Sequence, residues 1–151
     1  MKRFYRIIAC TDFSDLGNRA VEMAFAFAHG GKAKIWLIHV VDPPPMPNPM
    51  YAHYIGHSPW EPGQLEKATT EVAKALGGLI PPGAKKAGVE VAFEAPQGAP
   101  AVEILRLAEV NDAEVIVIGT RGRTGIEHLL LGSVAERVVR QATCAVMVVH
   151  Q

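Results

Sequence analysis

Cysteine is nearly absent from this 151-residue chain, which has two, Cys10 and Cys144. They do not read as a disulfide. Cys10 ends an apolar run that reads as the first strand, and Cys144 precedes the run that reads as the last. Opposite ends of parallel strands of about five residues lie roughly 15 Å or more apart, beyond the reach of an S–S bond. No Cys/His spacing has the form of a zinc site. An excess of charge of either sign is missing too. The 15 Lys plus Arg balance 15 Asp plus Glu, so no global field draws in nucleic acid or an anionic membrane. No apolar run approaches the length of a membrane span. Lys2 and Arg3 precede an apolar stretch, but Ile7 to Cys10 is too short for a signal-peptide core. With no export signal in view, the expected compartment is the cytoplasm.

What is present is the composition of a soluble globular protein, nearly half hydrophobic and a fifth charged. The length fits one domain, 1–151, large enough to bury a core. Apolar runs alternate with helical patterns. Phe4–Cys10, Lys34–Val41, Val89–Glu94, Val115–Ile118 and Ala145–Val149 read as strands. Asp15–His29, Gly63–Leu76, Pro100–Val110 and Val134–Gln141 read as helices. Gly77, Gly78, Pro81 and Pro82 disturb the second helix, which is expected to break and restart near Lys85. On the first helix Val21, Ala24, Phe25 and Ala28 share a face, and on the third Ile104, Leu105 and Ala108 do. Five near-continuously apolar strands alternating with four helices predict an α/β fold. The expectation is a single doubly wound domain with a five-stranded parallel sheet, order 3-2-1-4-5, and helices on both faces.

The stretch Asp42 to Pro62 is the exception to this regular alternation. Seven prolines are interleaved there with Met46, Met50, Tyr51, Tyr54 and Trp60. Such a long connection is either a variable surface excursion or a functional segment, a flap over a ligand or a docking segment.

The glycines after the fourth strand carry the chemical signal. Gly119, Gly122, Gly125, Gly132 and Ser133 lie between that strand and the last helix. Glycine lets bare backbone N–H groups approach a phosphate. The segment lacks the Gly-Lys-Ser/Thr ending of a P-loop, and it fails the dinucleotide pattern G-x-G-x-x-G. Its own pattern is G-x2-G-x9-G-S. In a doubly wound sheet, ligands sit beyond the strand ends where the strand order reverses. Here that is between the first and fourth strands, with Thr11 and Asp12 on one side and Gly119 to Gly122 on the other. Gly119 and Gly122 would let the backbone pass close to a ribose and phosphates. Gly132 and Ser133 open the last helix, whose dipole and free N–H groups suit phosphate. Ser133 also begins a Ser-x-x-Glu capping box with Glu136 and so caps that helix whatever binds. Asp12 reads equally as a helix cap or Asx-turn residue.

With that glycine spacing, the opening Ile7-Ile8-Ala9-Cys10-Thr11-Asp12-Phe13-Ser14 and the strand Leu37-Ile38-His39-Val40-Val41-Asp42, nearly the whole chain resembles the universal stress proteins, specifically their ATP-binding branch. The resemblance implies ATP as ligand, with Mg2+. It implies that Asp12 bonds the nucleotide on its ribose or adenine side. It implies that the main chain of Val40 pairs with adenine and that Ile118 and Val134 line the same cleft. Arg121 and Arg123 are the cations nearest the expected phosphates, against a bland reading as solvated surface arginines. The last strand, apolar and free of charges, is expected at a sheet edge. The family implies an antiparallel homodimer there, through Ala145 to Val149. Cys10 departs from a position where proline is frequent in the family; it reads as a small buried residue rather than a redox sensor.

The expected role is a nucleotide-dependent stress-response switch or sensor. The alternatives are a slow ATPase or nucleotidyl-transferring enzyme, and a partner-binding module that nucleotide rigidifies. Tyr54-Ile55-Gly56-His57 falls one residue short of a transferase His-x-Gly-His and follows the wrong strand. His128 stands alone, and His39 in mid-strand reads as a packed core histidine. Asp12 could help hold a metal with the phosphates, but no catalytic constellation is legible.

Overall fold

The computed structural model describes residues 3–43, 60–120 and 131–150. Within them run five strands, β1 (Arg6–Cys10), β2 (Lys34–Ile38), β3 (Glu90–Glu94), β4 (Val115–Gly119) and β5 (Ala145–Val149). Four helices alternate with them, α1 (Asp15–Phe27), α2 (Gln64–Gly77), α3 (Pro100–Val110) and α4 (Ser133–Gln141). All strand pairs are parallel, and the order is β3-β2-β1-β4-β5, as the alternation of patterns predicts.

The apolar runs are continuous because both faces of the central strands are covered. Ile7 and Ala9 point to one face with Ile35, Leu37, Val115 and Val117, and there meet Ala20, Val21 and Ala24 of α1 and Leu76 of α2. Ile8 and Cys10 point to the other with Trp36, Ile38, Ile116 and Ile118, and meet α3 and α4 through Ile104, Leu107, Ala108, Ala135 and Val138. Ile7, Ile8, Ile35, Ile38 and Ile116 are wholly buried. Truncating such a side chain to alanine costs about 2–5 kcal/mol. On α3 the buried residues that the sequence reading omits are Ala101 and Leu107, while Leu105 is only partly covered.

The helix expected to restart near Lys85 does not form. Residues 82–88 are turns, with Gly83 and Gly88 at φ +95° and +72°. A Cβ on Gly88 would lie 2.8 Å from the Cα of Gly31, so this turn packs directly on the one before β2. Gly119 joins β4, opposite Val149. β5 is an edge strand, as expected. The two edges differ: β3 carries Glu90 and Glu94, with Glu90 paired to Lys34 at 2.6 Å, whereas β5 is Ala-Val-Met-Val-Val without a charge. Residues 44–59, where the flap reading of the proline-rich segment falls, lie outside the described residues.

Candidate functional site

Beyond the carboxyl ends of β1, β2 and β4 lies a cavity of about 470 Å³. It opens where the strand order reverses, the usual place for a ligand in this architecture. Eight of the residues singled out from the sequence line it: Thr11, Asp12, Val40, Ile118, Gly119, Gly132, Ser133 and Val134. Gly122 and Arg123 lie outside the described residues, as do Arg121, Gly125 and His128.

The wall built by β1 and α1 is a closed hydrogen-bond network. The Thr11 N–H continues the ladder to the carbonyl of Ile38 at 3.0 Å. The Thr11 hydroxyl donates to Asn18 Oδ1 at 3.0 Å and accepts from the N–H of Phe13 at 2.9 Å. Asp12 Oδ1 accepts from the N–H of Ser14 at 3.0 Å and from its hydroxyl. This is an Asx turn, so of the two structural roles open to Asp12 the turn is realised and the cap is not. Ser14 is the N-cap of α1, accepting from the N–H of Gly17 at 3.1 Å. Between them Phe13 takes φ +63°, a left-handed conformation that costs a bulky residue about 1–3 kcal/mol. The flanking bonds hold it, as does its ring against His39, with centroids 4.7 Å apart. Gly17 has no room for a side chain: a Cβ there would sit 2.8 Å from both Asp12 Oδ1 and Thr11 Oγ1.

His39, which reads from the sequence as a core histidine, is buried but also lines the cavity. Its Nδ1 lies 2.9 Å from the carbonyl of Thr11. A carbonyl only accepts, so Nδ1 carries the proton and the ring is tied to the end of β1. Cys10 lies on the cavity floor, 5% exposed. Burial pushes its thiol far above the ordinary cysteine range, so it is a neutral apolar surface for a ligand and not a nucleophile. Both cysteines are free thiols.

The wall built by β4 and α4 differs from the reading of its sequence. Ser133 is the first residue of α4, not its cap. Gly132 holds the cap position, in extended conformation and with no side-chain bond to the helix. The capping box does not form because Ser133 already lies inside the helix, one residue past the cap position; Glu136 pairs along the helix with Arg140 at 2.6 Å. The first intrahelical bond runs from the Glu136 N–H to the Gly132 carbonyl at 2.8 Å. The amides of Ser133, Val134 and Ala135 therefore have no intrahelical acceptor, and all three residues line the cavity. Gly119 also has a different reason to be glycine. A Cβ there would lie 3.1–3.2 Å from the backbone carbon, Cβ and carbonyl oxygen of Leu16, so its absence lets α1 pack against β4.

The cavity is thus polar in two senses. Its acidic side chains, Asp12 and Asp42, follow β1 and β2 in the chain; the amides without an acceptor in the helix stand at the start of α4. Among the described residues no lysine or arginine lines it, and no cluster of three or more His, Cys, Asp or Glu residues could hold a metal ion. The apolar part of the lining comes from Ile38, Val40, Ile104 and Ile118, with Cys10 and Ala135. Pro100, Ile104, Asp42 and Thr120 escaped the sequence reading. The first two belong to α3, which no motif marks as ligand-bearing. Asp42 closes the strand motif already quoted, and its place at the end of β2 was the available signal.

The sequence model of the universal stress protein family matches residues 3–150. The chain belongs to that family. A universal stress protein of Methanocaldococcus jannaschii, MJ0531, is 38% identical over 148 residues, covering 98% of this chain and 83% of its own. The solved structure of MJ0577, another universal stress protein of that organism, superposes with a TM-score of 0.78 at 25% identity, covering 98% of this chain and 96% of that one. A universal stress protein solved in complex with cAMP has a TM-score of 0.63 at 26% identity, covering 99% and 98%. The universal stress family thus includes at least one member of the same fold that holds an adenine nucleotide.

Proposed function

We propose that this universal stress protein binds ATP in the cavity between β1 and β4 and acts as a nucleotide-dependent switch in a stress response. The observation that carries the reading is the division of the cavity into a carboxylate end and an amide end. A nucleoside phosphate has the matching division. Its ribose hydroxyls and exocyclic amine donate, which suits Asp12 and the main chain of Val40. Its phosphates accept, which suits the uncapped amides of Ser133, Val134 and Ala135. The apolar side chains of the lining, Ile38, Val40, Ile104 and Ile118, suit the faces of a base. Gly122 and Arg123 keep the roles that the sequence pattern gives them, close approach and charge beside the phosphates. Mg2+ would arrive with ATP, bound through the phosphate oxygens. The relative solved with cAMP supports an adenine nucleotide as ligand.

The domain is taken as the whole chain, 1–151, working in the cytoplasm as a homodimer. The uncharged β5 edge supports the dimer, because an apolar edge without protecting charges invites pairing about a two-fold axis. Light scattering is expected to give twice the chain mass at tens of micromolar, and Val148→Lys to lower it; a wild-type monomer would remove this part of the reading. For the ligand, native mass spectrometry of freshly purified protein is expected to release ATP or another adenine nucleotide. A different class of compound would redirect the assignment.

A further inference from the structure

Three polar side chains are buried among the described residues: Thr11, His39 and Thr120. Thr11 and His39 are paired, as described above. Thr120 is 4% exposed, and its hydroxyl is shielded from water with no hydrogen-bond partner. Its backbone, by contrast, is fully used. The N–H donates to the carbonyl of Val149 at 2.9 Å, and the carbonyl accepts from the N–H of Gly132. These two bonds carry the β4 ladder one residue past Gly119 and tie it to the residue that caps α4. Strand alternation then sets the Thr120 side chain on the same face as Ile116 and Ile118, the face that α3 and α4 cover. Thr120 lines the cavity together with Ser133, Val134 and Ala135. An unpaired hydroxyl therefore stands on the wall that also presents three amides without an acceptor in the helix.

We infer that Thr120 is a ligand-binding residue whose hydroxyl donates to an oxygen of the phosphate-bearing part of the bound nucleotide. The inference rests on the nucleotide reading of the cavity. A buried hydroxyl without a partner is destabilising, whereas valine would fill the same volume without that penalty. In the unliganded protein the hydroxyl contributes nothing that its methyl group does not. Once an anionic oxygen sits against the α4 amides, the hydroxyl completes the shell of donors, and a hydrogen bond to a charged group is the stronger kind. The fixed backbone leaves only rotation about χ1 for the hydroxyl to find that oxygen.

The test compares wild type, Thr120→Val and Thr120→Ser, titrated calorimetrically with ATP plus Mg2+ and separately with adenosine, alongside thermal melts of the unliganded proteins. Thr120→Val is expected to lose about tenfold in ATP affinity, to keep its adenosine affinity within about twofold, and to melt no lower than wild type. Thr120→Ser is expected to bind ATP within about threefold of wild type. Equal ATP binding by wild type and Thr120→Val would overturn the inference alone. So would an equal loss for adenosine, an equal loss in the serine variant, or a valine variant that melts lower or fails to fold. Wild-type protein that binds no adenine nucleotide would overturn the nucleotide reading, and this inference with it.

Discussion

The two walls of the cavity are built on opposite principles. On the β1–α1 wall Thr11, Asp12, Ser14 and His39 bond one another, the backbone or Asn18. Those bonds hold Phe13 in a left-handed turn. On the β4–α4 wall three amides have no acceptor within the helix, the Thr120 hydroxyl has no hydrogen-bond partner, and the helix starts on a glycine without a side-chain cap. A wall that satisfies itself fixes a shape. A wall that leaves donors open fixes a ligand. The difference predicts that substitutions on the first wall, the ligand-facing Asp12 apart, act mainly on stability, and that substitutions on the second act mainly on binding.

The largest effect is expected at Gly17. A valine there would drive a Cβ against Thr11 and Asp12, and both side chains are held by hydrogen bonds. Gly17→Val should lose about 1–3 kcal/mol of stability and, by displacing Asp12, weaken nucleotide binding as well. Denaturant melts check the first part, and an unchanged midpoint would show that the first wall is softer than its bonding implies. Next is Ser14→Ala, which removes the cap of α1. A loss of about 1 kcal/mol is expected, with ATP affinity reduced less than by Asp12→Ala. The smallest effect on stability is expected at Ser133→Ala. Because Ser133 is not the cap, its substitution should stay within about 0.5 kcal/mol of wild type while still lowering ATP affinity. A loss of about 1 kcal/mol in the unliganded protein would restore the capping box and blur the contrast between the walls.

The sheet order was legible because runs of buried β-branched residues alternate with helical patterns, and few topologies accommodate that alternation. The crevice followed from the order alone. What stayed hidden depended on contacts distant in sequence. Nothing near Gly119 announces that Leu16 packs over it, so a packing glycine and a phosphate glycine look alike in the sequence. The Ser-x-x-Glu pattern at Ser133 matched a capping box, but Gly132 takes the cap position and leaves Ser133 inside the helix. Thr120 follows a glycine in a loop motif and carries no mark of its own. Only its burial and its missing partner single it out. The restart near Lys85 failed because Gly83 and Gly88 both take positive φ, which turns the chain where a helix would continue it.

Calorimetric titration of nucleotide-stripped, folded wild-type protein with ATP and Mg2+ tests the central claim most directly, that the open donors of the β4–α4 wall are completed by a nucleotide. The expected result is saturable binding of one ATP per chain, markedly weaker for adenosine, which has no phosphate to meet the α4 amides. Absence of binding, or equal affinity for ATP and adenosine, would contradict it.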